Sequence, residues 1–156
     1  MKTLTLTNFE IDSIVRNLES PESILFSDDP KKMLPISIMW KIDENFERIK
    51  NIHNRLQKRR EQIEQKYADD EHSVIETIKG QQVRKVKDKY AMDFGKELGE
   101  LMSITNEVEI DPIMIDVFND KAFTPKDYRT IRFMLDKEKE NTEVTEETKA
   151  ASANEK

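Results

Sequence analysis

The sequence predicts a mainly α-helical protein built around one long antiparallel helical hairpin, with short flanking helices, a small two-stranded antiparallel β element and a disordered C-terminal tail. Three observations carry this expectation. Charged residues make up 37% of the chain and aromatic residues only 7%, whereas an average domain is about 25% charged. Apolar side chains are thus confined to narrow stripes, which suit long helices. Only three glycines are present, too few for a turn-rich all-β fold. Finally, Met39, Ile42, Phe46, Ile49, His53, Leu56, Arg60, Ile63 and Tyr67 recur alternately three and four residues apart, the spacing of a coiled-coil-like seam.

The elements follow in order. Leu4 and Leu6 alternate with threonines over Lys2 to Thr7, the period-2 pattern of a short strand. Asn8 is placed to cap a helix running to about Leu18, with Ile11, Ile14, Val15 and Leu18 on its apolar face. Ser20-Pro21 ends it, and the proline-rich stretch to Pro35 reads as an irregular connection that carries Ile24, Leu25 and Phe26. The long helix over Met39 to Tyr67 comes next. A second helix is expected from Val83 to about Thr105, marked by Val86, Tyr90, Phe94, Leu98, Leu101 and Val108. The run of four-residue steps in it relaxes a left-handed supercoil.

Neither stripe can be buried alone, so the two helices are expected to pair as a hairpin, with Phe46, Ile49, Leu56, Leu98 and Leu101 between them. The connection Ala68 to Gln82 reads as a short β-ribbon or structured tip. Ile110 to Val117 alternates and is expected to be extended against Leu4 to Thr7, with Pro112 confining it to an edge or a bulge. Thr124-Pro125-Lys126-Asp127 is a helix start leading to Tyr128, Ile131 and Leu135. One domain is therefore drawn over 1–136, and 137–156, rich in Glu, Lys, Thr, Ala and Ser, as a disordered acidic and polar tail.

Several chemistries find no support. There is no cysteine, hence no disulfide, zinc–thiolate site or thiol nucleophile. The glycines are too few for a phosphate-cradling loop. Only two histidines occur, neither at ligand spacing from another strong donor, and Asp69-Asp70-Glu71-His72 lacks the glycine and spacing of a calcium loop. No catalytic, cofactor-binding or metal-ligating residues are assigned, and a non-enzymatic protein is expected. No stretch reaches the roughly 20 apolar residues of a membrane span, and the first seven residues never build the apolar run of a signal peptide. A cytoplasmic protein is expected.

Other features bear on recognition. His53 and Arg60 stand in the long seam, either as a polar layer that fixes partner and register or as side chains reaching out past it. Gly95 and Gly99 lie one turn apart on the second helix. Each costs about 1 kcal/mol relative to alanine, so close approach of a neighbour is expected, from this chain or another. Between Arg55 and Lys89 there are ten basic and seven acidic residues, a net of +3, which leaves −9 elsewhere. Arg55, Lys58, Arg59, Arg84, Lys85, Lys87 and Lys89 make this basic tip the only candidate for nucleic acid, while a pI near 5.1 argues against a dedicated nucleic-acid binder. Protein partners are the better expectation, with self-association among them, through Ile24, Leu25, Phe26, Ile38 and Ile52, which lie off the seam, and through Gly95 and Gly99.

The order of elements resembles an uncharacterised family of small proteins encoded by bacteriophages and prophages. The matching features are Leu34-Pro35 before the long helix, Lys66-Tyr67 closing it, and Phe94, Leu98 and Leu101. They continue with Val108-Glu109-Ile110-Asp111, Ile113 and Ile115, and end with Thr124-Pro125 before Tyr128, Ile131 and Phe133-Met134-Leu135. Ala68 stands where a glycine is expected. The resemblance spans about Leu34 to Leu135 and implies a phage-encoded accessory protein, with no site residues to carry over. Two functions follow: a structural or assembly component of the virion, or an inhibitor of a host enzyme or defence system whose acidic surface competes for a basic groove.

Overall fold

A computed structural model of the chain describes residues 1–136; the disordered tail read over 137–156 lies outside them. Four α-helices and six short strands follow one another: β1 (Lys2–Thr7), α1 (Asn8–Glu19), α2 (Ile36–Lys66), β2 (Ser73–Ile78), β3 (Gln81–Val86), α3 (Asp88–Ser103), β4 (Thr105–Ile110), β5 (Ile113–Met114), α4 (Pro125–Ile131) and β6 (Leu135–Asp136). Single 3-10 turns occupy Ile24–Phe26, Pro30–Lys32, Ile115–Phe118 and Arg132–Met134. β1 pairs antiparallel with β4 and β2 antiparallel with β3, while β5 and β6 form a short parallel pair. No helix among the described residues is long and apolar enough to cross a membrane.

Local chemistry explains the boundaries. Thr7, not Asn8 as expected, caps α1, and it does so reciprocally: the Glu10 N–H donates to the Thr7 hydroxyl, and the Glu10 carboxylate accepts from the Thr7 N–H at 2.7 Å. Thr124 and Asp127 repeat the device at α4, with Pro125 at the first helical position. Between β2 and β3 the two-residue loop Lys79-Gly80 has φ of 49° and 81°, the paired left-handed geometry that matches strand twist in a tight hairpin.

The core lies where α1 crosses α2 beside β4 and the C-terminal elements. Ile11, Val15 and Leu18 of α1, Ile42 and Ile49 of α2, and Val108 and Ile110 of β4 are buried together with Ile113, Phe118, Ile131 and Met134. A polar layer sits on the same α1–α2 contact. Asp12 is buried, its Oδ1 lies 3.1 Å from His53 Nε2, and the Gln57 amide donates to the same oxygen at 3.4 Å. His53 therefore faces inward rather than reaching out past the seam. Arg60 is at the surface, bonded to Glu64 on its own helix.

Four sequence expectations are corrected. The second helix begins at Asp88, not Val83, because Val83 and Val86 belong to β3; it ends at Ser103, so Thr105 and Val108 lie in β4. No α3 side chain is fully buried. Ile49 and Leu56 are buried, but Phe46, Leu98 and Leu101 are only half-buried, and the most extensive helical contact of α2 is with α1. The partner of β1 is Thr105–Ile110, with Lys2 opposite Ile110 and Thr7 opposite Thr105, rather than Ile110 to Val117. Pro112 has no N–H to continue the ladder; beyond it Ile113–Met114 turns to β6, and Ile115–Phe118 is a 3-10 turn. Leu135 likewise lies in β6, not in the last helix.

Asp127 ties this layer together. Burial alone would raise its pKa, but the Lys32 ammonium at 2.8 Å and the Thr124 N–H and hydroxyl hold its carboxyl below the usual range. A carboxyl whose pKa is lower in the folded state stabilises the fold above its unfolded pKa, and that contribution disappears as pH falls through the folded value. Asp127→Asn should lower stability at neutral pH by about 1–2 kcal/mol, as for a lost cap or charge-assisted bond. In denaturant melts the gap to wild type should narrow as the pH is taken below about 4; a constant gap would contradict this role.

Candidate protein-docking surface

The first three turns of α2 are apolar on two faces. Ile38, Ile42, Asn45 and Ile49 turn toward the core, whereas Ile36, Trp40, Asp43 and Glu47, spaced three or four apart, line the outside. Together with Leu25 and Phe26 from the preceding 3-10 turn, and with Met39 and Phe46 at the boundary, they form an open groove of about 370 Å³. Its walls stand unusually bare: Ile36 is 76% exposed, Trp40 63% and Phe26 58%, with Met33 nearby at 64%. Scattered single apolar residues are normal on a surface, but a contiguous set rimmed by acids marks an interaction site. Asp43 and Glu47 make no salt bridge among the described residues.

The residues expected to carry recognition divide. Phe26 and Leu25 line the groove. Ile24 is buried in the core, and Ile38 and Ile52 are half-buried against it, so these three hold the fold together and are not free for a partner. Around Gly95 and Gly99 a Cβ would meet nothing within 4 Å; the close approach expected within this chain does not occur. Ile36 and Trp40 escaped the sequence reading, which assigned α2 a single stripe. The available signal was the one tryptophan of the chain, a turn away from Ile36 and off the seam.

A second exposed apolar surface lies beyond the far end of α2. The β2–β3 ribbon pairs with no other strand, and Val74, Ile75, Ile78 and Val83 are 42–53% exposed. Its base is fixed by aromatic packing: Tyr67 meets Phe94 with ring centroids 5.2 Å apart, and His72 meets Tyr90 at 4.5 Å. The Tyr67 hydroxyl donates to Glu97 at 2.8 Å, and the Ser73 hydroxyl donates to the Tyr67 carbonyl.

Most of the basic tip is already engaged. Arg84 pairs with Asp70, Lys85 with Glu76, Arg59 bonds to Gln62, and Lys87 donates to the Asp70 carbonyl. In the acidic turn, Asp69 accepts from the His72 N–H and lies 2.6 Å from its ring Nδ1, contacts that hold its carboxyl below the usual range. The Glu71 carboxylate accepts from the Tyr90 hydroxyl. These acids brace the ribbon's root, and no group of three His, Cys, Asp or Glu among the described residues is arranged to hold a metal ion.

Because Trp40 is the only tryptophan, its fluorescence reports the groove alone. Emission from the isolated, dilute chain should resemble that of a solvated indole, and Trp40→Ala should change stability by no more than about 0.5 kcal/mol. A blue-shifted emission under those conditions, or a large loss of stability, would show that the groove is closed. No family model matches the chain, and neither a curated protein nor a solved structure matches it.

Proposed function

We propose that the protein works without catalysis, by binding other proteins, as a phage-encoded accessory component that helps to build or hold the virion. On this reading it is made in the host cytoplasm and carried into the particle. The observation that supports it is the groove: three large apolar side chains left more than half exposed, Ile36 and Trp40 on a helix whose opposite face is already buried and Phe26 on the 3-10 turn before it. Exposed aromatic anchors of this kind supply much of the binding energy of protein interfaces. In the same reading α2, the ribbon and α3 act as one helical hairpin, an arm that presents the groove at one end and the ribbon at the other.

A second reading, inhibition of a host enzyme or defence system, draws on Asp43 and Glu47. These carboxylates beside the groove, unpaired among the described residues, would compete for a basic surface. The two are separated by replacing Trp40 with a photo-crosslinking amino acid and purifying particles from producing cells. The virion reading predicts the chain in the particle, with crosslinks to virion proteins or to another copy, and loss of incorporation in Trp40→Asp. Absence from particles, with crosslinks to a host enzyme, would overturn it in favour of inhibition.

A further inference from the structure

We propose that the groove of one copy receives the β2–β3 ribbon of a second copy, so that the chain assembles head to tail; the inference rests on the protein-binding reading of the groove and names its occupant. The two surfaces are complementary in kind. On one face of the ribbon the register places Val74 opposite Lys85 and Ile78 opposite Gln81, with Val83 between them opposite Glu76. Ile78 sits at the tip next to Lys79, which has no salt-bridge partner among the described residues. An apolar ridge with the basic Lys79 at its tip thus stands at one end of the molecule. At the other end is an apolar trough with Asp43 and Glu47, unpaired among the described residues, on its wall.

The ribbon also needs covering. A lone two-stranded hairpin is marginal in water, and the ribbon's two outer edges leave backbone groups open to another chain. The groove of the same copy cannot supply the cover. The groove lies on the first turns of α2 and the ribbon follows its last, and the helix between is 31 residues long, roughly 45 Å at 1.5 Å per residue. Ile78 therefore reaches a groove only on another molecule. A contact between two different patches made head to tail propagates into a ring or a filament, whereas two antiparallel copies with each ribbon in the other's groove would stop at a closed dimer, which does not grow with concentration. Opposite charge at the contact makes it weaken with salt.

The test is sedimentation of the full chain and of two exposed-site variants, Trp40→Asp in the groove and Ile78→Asp at the ribbon tip, with circular dichroism confirming the fold. Wild type should form species that grow with concentration and shrink with salt, and each variant alone should be monomeric. An equimolar mixture should form a one-to-one dimer and nothing larger, because Ile78→Asp keeps an intact groove and Trp40→Asp an intact ribbon. If either variant misfolds, Asp43→Lys/Glu47→Lys and Lys79→Glu replace them: each alone should be monomeric, and because the reversed charges complement one another their mixture should assemble beyond a dimer. A wild-type chain that stays monomeric, variants that still assemble, or a mixture that forms no dimer would overturn the proposal. If the wild type is monomeric while Trp40→Asp still loses its virion crosslinks, the groove binds another protein and only this occupant is wrong. If Trp40→Asp changes neither assembly nor incorporation, both readings fall.

Discussion

Asn45 sets the orientation on which the rest of the molecule depends. Fully buried on α2, its side-chain amide donates to the Asp111 carbonyl and accepts from the Asp111 N–H, both at 2.8 Å. The need arises in the backbone. The β1–β4 ladder stops at Ile110, and Pro112 has no N–H, so Asp111 would otherwise bring both its polar groups against the core unpaired, at a cost of about 1–3 kcal/mol each. Satisfying them fixes the rotation of α2 about its own axis. Ile42 and Ile49, a turn to either side of Asn45, are thereby turned inward and fully buried. Ile36, Trp40, Asp43 and Glu47 are turned outward by the same rotation. Burial on one face and exposure on the other are consequences of one contact.

Farther along α2 the fixings change character while serving the same end. The Asp12, His53 and Gln57 layer holds α1 across the middle of the helix, reinforced by the pairing of Lys50 with Glu19, while Arg16 pairs with Asp12 along α1 itself. At the C-terminal end Tyr67 is buried against Phe94 and His72, and Lys66 and Glu97 join at 2.5 Å. A long helix held at three points along its length is a spacer. It keeps the groove and the ribbon apart and presents both to solvent, which is what a head-to-tail assembly requires of its subunit.

Much of this was legible in the sequence because it is written in local chemistry. The β1 alternation follows from residues two apart and the Thr124 cap of α4 from residues three apart, and Lys79-Gly80 is a turn signal between β-branched segments. The errors arose where two periods coincide or where a distant element decides. Val83 and Val86 fit a helical stripe as well as a strand, and only pairing with Ser73–Ile78 resolves them. Ile24 and Ile52 lie off the α2 seam, yet Ile24 is buried in the core and Ile52 half-buried against it, so distance from one seam does not mean exposure. Trp40 occupies no seam position, and nothing local tells whether an apolar residue off the seam meets another element or solvent. The pairing of Asn45 with Asp111 spans 66 positions, and nothing local announces it.

Native-state hydrogen exchange at the Asp111 amide tests the central claim most directly. If Asn45 is the acceptor that orients α2, the Asp111 N–H should exchange as slowly as those of the neighbouring β4 strand, although it lies beyond the last ladder pair. In Asn45→Ala it should lose that protection beyond the general loss of stability, and Trp40 emission should change as the outer face of α2 loses its fixed orientation. An Asp111 amide that exchanges freely in the wild type, or is equally protected in Asn45→Ala, would contradict the account.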